Sequence, residues 1–354
     1  MMKGLTTYGS DEINKRLQEL ENPIFICTTA TTETSNIPGI SGAGASPELT
    51  KFTPAADAEL ILDGEVKCME SIPETVVEGD AAPTPSMLTK ASVDLCKPAL
   101  LILDAGTEIK PQTDKLTLSE HHGKNIATGK AVCDAEDIFQ KAFDLGRTLS
   151  DTQDYIVIGE TIAAGTTTAL GVLIGLGYDA WGKVSGSMPT NPHDLKNETV
   201  KAGLEKAGIT PSKDNDPFDV IAAVGDPMLP AVAGVAMGAE VPVVLAGGTQ
   251  LASACAIIKA LDPEFDFSNI CLATTSFVVK DETADLLDIV SQIGDITVNA
   301  VNPCFEKARY GGLKNYLDGF VKEGAGAGGA MFLALMMGHD IDEVREAIDE
   351  YCSK

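Results

Sequence analysis

Apolar residues in this chain come mostly in short unbroken runs, each followed by small polar residues and then a helical stretch. Ile24-Phe25-Ile26-Cys27, Leu100-Leu101-Ile102-Leu103, Tyr155-Ile156-Val157-Ile158, Val243-Val244-Leu245 and Ile270-Cys271-Leu272 are runs of this kind. Continuous apolar runs, as opposed to alternating ones, are what strands covered on both faces look like. Residues 218–226 read the same way, as a further strand and turn. Between the runs the period changes. Residues 10–20 open with Ser10 and acids and place Ile13, Leu17 and Leu20 at helical spacing, which predicts an amphipathic helix. Helices are also expected over 135–149, 168–176, a charged 193–207, the stretch before Met237, and 250–261.

The Gly/Pro-rich segment 37–59 is expected to be an ordered loop that ends in a helix start at Thr53-Pro54, and residues 60–84 to be short strands and turns. Apolar strands alternating with helices predict an α/β fold with a mostly parallel, doubly wound, Rossmann-like sheet. Right-handed crossovers would collect the strand-to-helix turns along one edge, so that Asp104, Glu160, Gly165 and Thr275 face one crevice. The last fifty residues should be helical and pack with the N-terminal helix. This divides the chain into a large α/β domain over 22–304 and a small helical domain formed by 1–21 and 305–354, which would carry Glu323 across the crevice from the sheet.

Composition supports the layered reading. The 354 residues are 44% hydrophobic but only 5% aromatic, with 34 glycines, so the core is built from small aliphatic side chains. Charge narrows the function. With 26 basic against 52 acidic residues the net charge is -26, which argues against nucleic acid and anionic membranes as partners. Any phosphate must therefore be held locally, by backbone amides and a few placed cations. The eight cysteines form no CxxC pair and read as reduced core residues. No histidine lies at zinc-ligand spacing from a cysteine, His121-His122 reads as a solvated turn, and no metal or cofactor is expected. Neither a leader peptide nor an apolar run of spanning length is present, so a cytoplasmic location is expected.

Two stretches carry candidate chemistry. In 322–330 one carboxylate, Glu323, precedes a run of glycines and alanines (Gly324, Ala325, Gly326) that leads into an apolar helix. Bare backbone beside a helix N-terminus is suited to an anion. Residues 159–170 repeat the arrangement between a strand and a helix, with Glu160 ahead of Gly165-Thr166-Thr167-Thr168. That turn could serve as a phosphate cradle. A flexible Gly/Ala connector with Glu323 as an incidental solvated charge is the alternative reading of the first, and a helix N-terminal acid stabilised by the dipole is that of Glu160. The Gly186-Ser187 loop and the strand end Thr275-Ser276 would join the same edge. Lys196, the nearest base after Gly186, could help hold a phosphate but reads first as a solvated helical lysine. No Gly-Lys-Ser/Thr follows the cradle, and neither GxGxxG nor GxSxG occurs.

These motifs resemble the nicotinate-nucleotide dimethylbenzimidazole phosphoribosyltransferases of cobamide assembly, most closely their archaeal-type branch. The bacterial Gly-Glu-Met-Gly-Ile-Gly-Asn-Thr-Thr turn is similar to residues 159–168, with one extra residue here. The C-terminal Gly-Glu-Gly-Thr-Gly-Ala run is similar to 322–327. The Asp-His-Gly strand end corresponds to Asp104-Ala105-Gly106, and the Pro-Val-Leu-Leu-Asp-Gly strand to 242–247. The motifs keep the family order from about residue 98 onward. Two departures fall on the side of the accepting base: the bacterial Pro-Pro-Gly-Ser-Leu-Gly segment is replaced by 37–59, and Ala105 stands where the histidine would be.

The resemblance implies phosphoribosyl transfer from nicotinate mononucleotide to a benzimidazole-like or purine-like base, without metal or cofactor. It implies Glu323 as catalytic base, a homodimer, and substrate contacts from Asp104, Glu160, Gly165 to Thr168, Gly186, Thr275, Ser276 and Gly324 to Gly326. A related glycosidic-bond enzyme with another acceptor, and a nucleotide- or metabolite-binding protein without turnover, remain open on the sequence.

Overall fold

A computed structural model describes residues 2–43, 47–72, 74–75 and 81–353. The strands are β1 Leu5–Tyr8, β2 Pro23–Ala30, β3 Glu74–Thr75, β4 Ala82–Pro83, β5 Ala99–Gly106, β6 Leu116–Thr117, β7 Tyr155–Thr161, β8 Val243–Ala246, β9 Ile270–Thr275 and β10 Thr297–Val301. β3 and β4 form a separate antiparallel ribbon. The others make one sheet in the order β1-β10-β9-β8-β7-β2-β5-β6. All its pairings are parallel except that of β1 with β10. The mostly parallel α/β expectation holds. Between β2 and β7 the strand order reverses, since β2 leads outward to β5 and β7 leads the other way to β8. Open α/β sheets bind ligands at such a point, beyond the carboxyl ends of the strands.

The helices are α1 Glu12–Leu17, α2 Pro47–Thr50, α3 Thr53–Asp63, α4 Pro85–Cys96, α5 Ala135–Ser150, α6 Gly165–Gly175, α7 His193–Ala207, α8 Pro217–Val224, α9 Met228–Gly238, α10 Thr249–Leu261, α11 Ser276–Val279, α12 Leu286–Ile293, α13 Ala327–Met336 and α14 Ile341–Cys352. Successive strand residues feed opposite faces. Ile24, Ile26, Ile156, Ile158 and Leu245 join the core under α5 to α10 and α12. Phe25, Cys27, Val157, Val244 and Cys271 join the core under α1, α3, α4, α13 and α14. The apolar runs exist because both faces are buried.

Contact between α13 and the sheet is unusually close, and its glycines allow it. A Cβ on Gly329 would lie 2.1 Å from the Cβ of Ala246, and one on Gly328 would lie 2.3 Å from the carbonyl carbon of Thr274. Gly326, at φ +72°, rests against Gly159 and Phe25. These glycines serve helix-on-strand packing, and the bare backbone read from sequence as ligand space is restricted to what precedes them.

Two local expectations are corrected. Residues 217–224 are the helix α8, because Asp216 accepts hydrogen bonds from the amides of Phe218 and Asp219 and Pro217 starts the first turn. Helix α3 begins at Thr53 as expected but runs on to Asp63, so strands and turns occupy only part of 60–84. The portions of the 37–59 and 60–84 readings that fall on residues 44–46, 73 and 76–80 lie outside the described residues. Lastly β1, β10 and α4 had no counterpart in the sequence reading. All eight cysteines are unpaired, and Cys133 is exposed. No helix among the described residues is long and apolar enough to cross a membrane.

Candidate active site

Glu323 sits on the end of β9 itself, which revises the expectation that it lies across the crevice from the sheet. One carboxylate oxygen accepts from the Thr274 hydroxyl (2.8 Å) and the Thr275 amide (2.8 Å); the other accepts from the amides of Gly324 (3.2 Å) and Gly328 (3.0 Å). Left-handed backbone at Val321, Ala325 and Gly326, with φ of 62°, 51° and 72°, wraps the chain around this carboxylate. A β-branched residue at positive φ is a strained conformation of the kind that collects at functional sites. Burial raises the Glu323 pKa against the lowering effect of these four donors.

Glu160, at the end of β7, lines the same pocket and is buried. Its pKa is pushed well above the usual carboxylate range, by burial first and then by the negative charges of Glu323 and Asp226. Asp57 of α3 is a third acid on this pocket. It accepts from the hydroxyls of Thr84 (3.2 Å), Ser86 (2.6 Å) and Thr161 (2.6 Å), and burial raises its pKa against them. Gly324 and Ala325 complete one wall. The pocket holds about 620 Å³ of empty space, its open mouth included, and none of its described lining residues is basic.

A smaller pocket of about 360 Å³ adjoins it and shares Gly42, Ala43, Ile162, Ser187 and Gln250. Here the start of α6 (Gly165, Thr166), Gly186 and Lys196 converge. Lys196 is 1% exposed and donates to the Thr166 hydroxyl at 2.6 Å, which corrects the reading of a solvated lysine. Burial, and then the charge of Lys322, lower its pKa to about 7. Lys322 is itself engaged by Asp281 at 2.5 Å. A buried cation beside the N-terminus of a helix is a site for an anion.

The remaining candidates are placed otherwise. The Thr168 hydroxyl bonds to the Gly165 carbonyl and to Asp226, and the Thr167 hydroxyl is buried without a partner; neither residue lines the two pockets. The Thr275 hydroxyl donates to the Lys322 carbonyl, which leaves its amide for Glu323. Ser276 opens α11 and faces a neighbouring surface depression. Asp104 is fully buried and lines neither pocket: it accepts from the amides of Gly106 and Thr107, and pairs with Lys110 at 3.0 Å. Far from both pockets, His121, Cys133 and Asp134 bring one potential ligand atom each within 4.8 Å of one another, a proximity that the sequence spacing did not suggest.

Asp57 was the residue missed, and the burial of Lys196 was misjudged; both left a signal. Asp57 stands among Ala55, Ala56, Ala58 and Leu60 in a helix where all of these are buried. Lys196 heads the buried stripe Lys196, Thr199, Val200, Gly203, Leu204 at helical spacing.

The chain is thus an open α/β protein with an acid-lined pocket and a second pocket holding a buried lysine. The profile of the phosphoribosyltransferase family matches residues 94–275, and the chain belongs to that family. Among its relatives is the UPF0284 protein of Methanothermobacter thermautotrophicus, 51% identical over 354 residues, 100% of this chain and 98% of the relative. The UPF0284 protein of Thermococcus onnurineus is 42% identical over 329 residues, 92% and 96% of the two chains. In fold the chain is similar to nicotinate-nucleotide-dimethylbenzimidazole phosphoribosyltransferase from Thermus thermophilus, with a TM-score of 0.62 at 16% identity over 96% of this chain and 88% of that one. A structure of CobT from Thermus thermophilus gives a TM-score of 0.62 at 17% identity, over 96% and 89%.

Proposed function

We propose that this protein transfers the phosphoribosyl group of nicotinate mononucleotide to a benzimidazole-like or purine-like base. The products are nicotinate and an α-riboside 5′-phosphate for the nucleotide loop of a cobamide. The observation that carries the reading is the junction of the two pockets. A phosphate beside Lys196 and the start of α6 would extend its ribose toward Glu160 and Glu323. In the donor the ring nitrogen bonded to ribose is already cationic, so three acids and no described basic side chain suit the pocket that receives it.

The incoming ring nitrogen attacks C1′ while the C1′–N bond to nicotinate breaks and its electron pair returns to the pyridine nitrogen. No acid is needed for that departure. The base's other ring nitrogen loses its proton to Glu323, whose raised pKa makes it the stronger acceptor. We read the assembly as a homodimer, which sedimentation checks.

The experiment is chromatographic: protein, nicotinate mononucleotide and a panel of bases, with Glu323→Gln alongside. Nicotinate and riboside phosphate should appear in equal amounts, and Glu323→Gln should lose about 10² to 10⁴ in kcat while still binding the donor. Donor binding without turnover of any base would overturn the reaction assigned here.

A further inference from the structure

Away from both pockets, the segment between β6 and α5 folds back so that its two limbs meet. His121 lies on one limb and Cys133 and Asp134 on the other, and a ligand atom from each falls within 4.8 Å of the other two. Local structure does not account for these side chains. Asp134 is the N-cap residue of α5, yet its carboxylate accepts from no amide of that helix, the usual work of an acid in this position. Its Oδ2 accepts from the Ser119 hydroxyl at 2.5 Å, and its Oδ1 meets the Cys133 thiol at 3.7 Å. His122 and Lys124 both turn to Glu33, whereas His121 makes its hydrogen bonds through the backbone alone. The backbone of both limbs is fixed. The His121 carbonyl lies so close to Gly106 that a Cβ there would come within 2.2 Å of it. The Gly123 amide donates to the Thr31 carbonyl (2.8 Å), the Lys124 amide to Ala131 (2.7 Å), and the amides of Ala131 and Val132 to Ala222 (2.6 and 3.1 Å).

A thiolate, an imidazole and a carboxylate are the donors of zinc sites, and a sulfur-nitrogen pair disfavours magnesium and calcium. We infer that His121, Cys133 and Asp134 bind one zinc-class divalent cation. Metal–ligand bonds of about 2.0–2.3 Å set ligand atoms roughly 3.3–3.8 Å apart, a closure that needs only rotation of the exposed His121 and Cys133 side chains. Ser119 orients the carboxylate from behind, and its oxygen also accepts from the His121 amide at 2.9 Å, so one hydroxyl aligns both limbs. On binding, the thiol gives its proton to solvent and the thiolate takes the metal. Three protein ligands leave the fourth position to water, from the surface depression that His121 and Cys133 line. The cation clamps the start of α5 to the stretch that follows β6. This site stands apart from the phosphoribosyl-transfer reading and does not depend on it.

The test uses the full chain, stripped of metal and kept reduced, in excess magnesium, which occupies the carboxylates of an acidic surface without competing for a thiolate. Cobalt(II) is titrated first, followed by its thiolate-to-metal charge-transfer band in the near ultraviolet, and zinc is then added in competition. The band should saturate at one equivalent of cobalt and be lost as zinc, the tighter binder, replaces it. Cys133→Ser should abolish the band, while Cys68→Ser, at a partly buried cysteine elsewhere, should leave it intact. His121→Ala and Asp134→Asn should weaken zinc binding by about a hundredfold or more, and Ser119→Ala by about tenfold. Circular dichroism checks that each variant is folded. A wild-type protein with no charge-transfer band at one equivalent overturns the inference. So does a band that survives Cys133→Ser, or a zinc affinity that His121→Ala leaves unchanged, since either would mean adventitious binding to the acidic surface or to another thiol.

Discussion

Lys196 and Glu323 illustrate opposite ways of holding charge out of water. Glu323 is surrounded by four donors, whereas Lys196 has one hydroxyl partner and the repulsion of Lys322. Its pKa falls from 10.5 to about 7. Between those two values the unfolded chain binds a proton that the folded chain does not, so this group makes the ligand-free protein more stable as pH rises across the window. A bound phosphate reverses the preference, because it favours the charged amine. Affinity for nicotinate mononucleotide should therefore weaken as pH rises from about 7 toward 9, by up to about tenfold per unit, and Lys196→Met should flatten the profile at the weaker limit. Titration of the donor across that range measures both. Since Thr166 is the side-chain partner of this amine, of the three threonines marked as a cradle it is the first that makes sense as a phosphate ligand; Thr168 instead ties α6 to Asp226.

At the scale of elements, legibility followed unbroken apolar runs. β2, β5, β7, β8 and β9 were readable because each is an unbroken apolar run inside the sheet. β1 and β10 were not, since Thr6, Thr7, Thr297 and Asn299 interrupt the hydrophobic pattern; Thr7, Thr297 and Asn299 are used for polar pairing, as where Asn14 bonds to Asn299 at 2.7 Å. α8 was mistaken for a strand because Val220 to Val224 is a short apolar stretch whose helical character shows only in Asp216-Pro217 ahead of it. The glycine-rich start of α13 was located correctly, but its purpose was legible only in part. Gly324 borders the pocket, while Gly326, Gly328 and Gly329 bring the helix down onto β7, β8 and β9. Gly329→Ala should therefore destabilise the fold by about 1–3 kcal/mol through overpacking, although an alanine in a solvated helix would stabilise it. Urea denaturation of the variant gives the sign directly, and a gain in stability would contradict the close contact.

For the whole molecule, the order of strands matters more than their number. The layer over Phe25, Val157 and Val244 is completed by α13 and α14, so the last part of the chain supplies both the cover of one face and the carboxylate at the site. A chain ended at residue 320 should lose cooperative unfolding and near-ultraviolet circular dichroism, and precipitate on concentration. A soluble, cooperatively folded truncation would show that the other helices suffice. β1 pairs with β10, Leu5 opposite Val301. During synthesis at about 5–20 residues per second, the first strand waits on the order of 15 to 60 s for its partner to be made. Throughout that interval the nascent chain presents an unfinished apolar surface to the cell. Its exposure to chaperones and proteases on the ribosome is thus written into the pairing of its two ends.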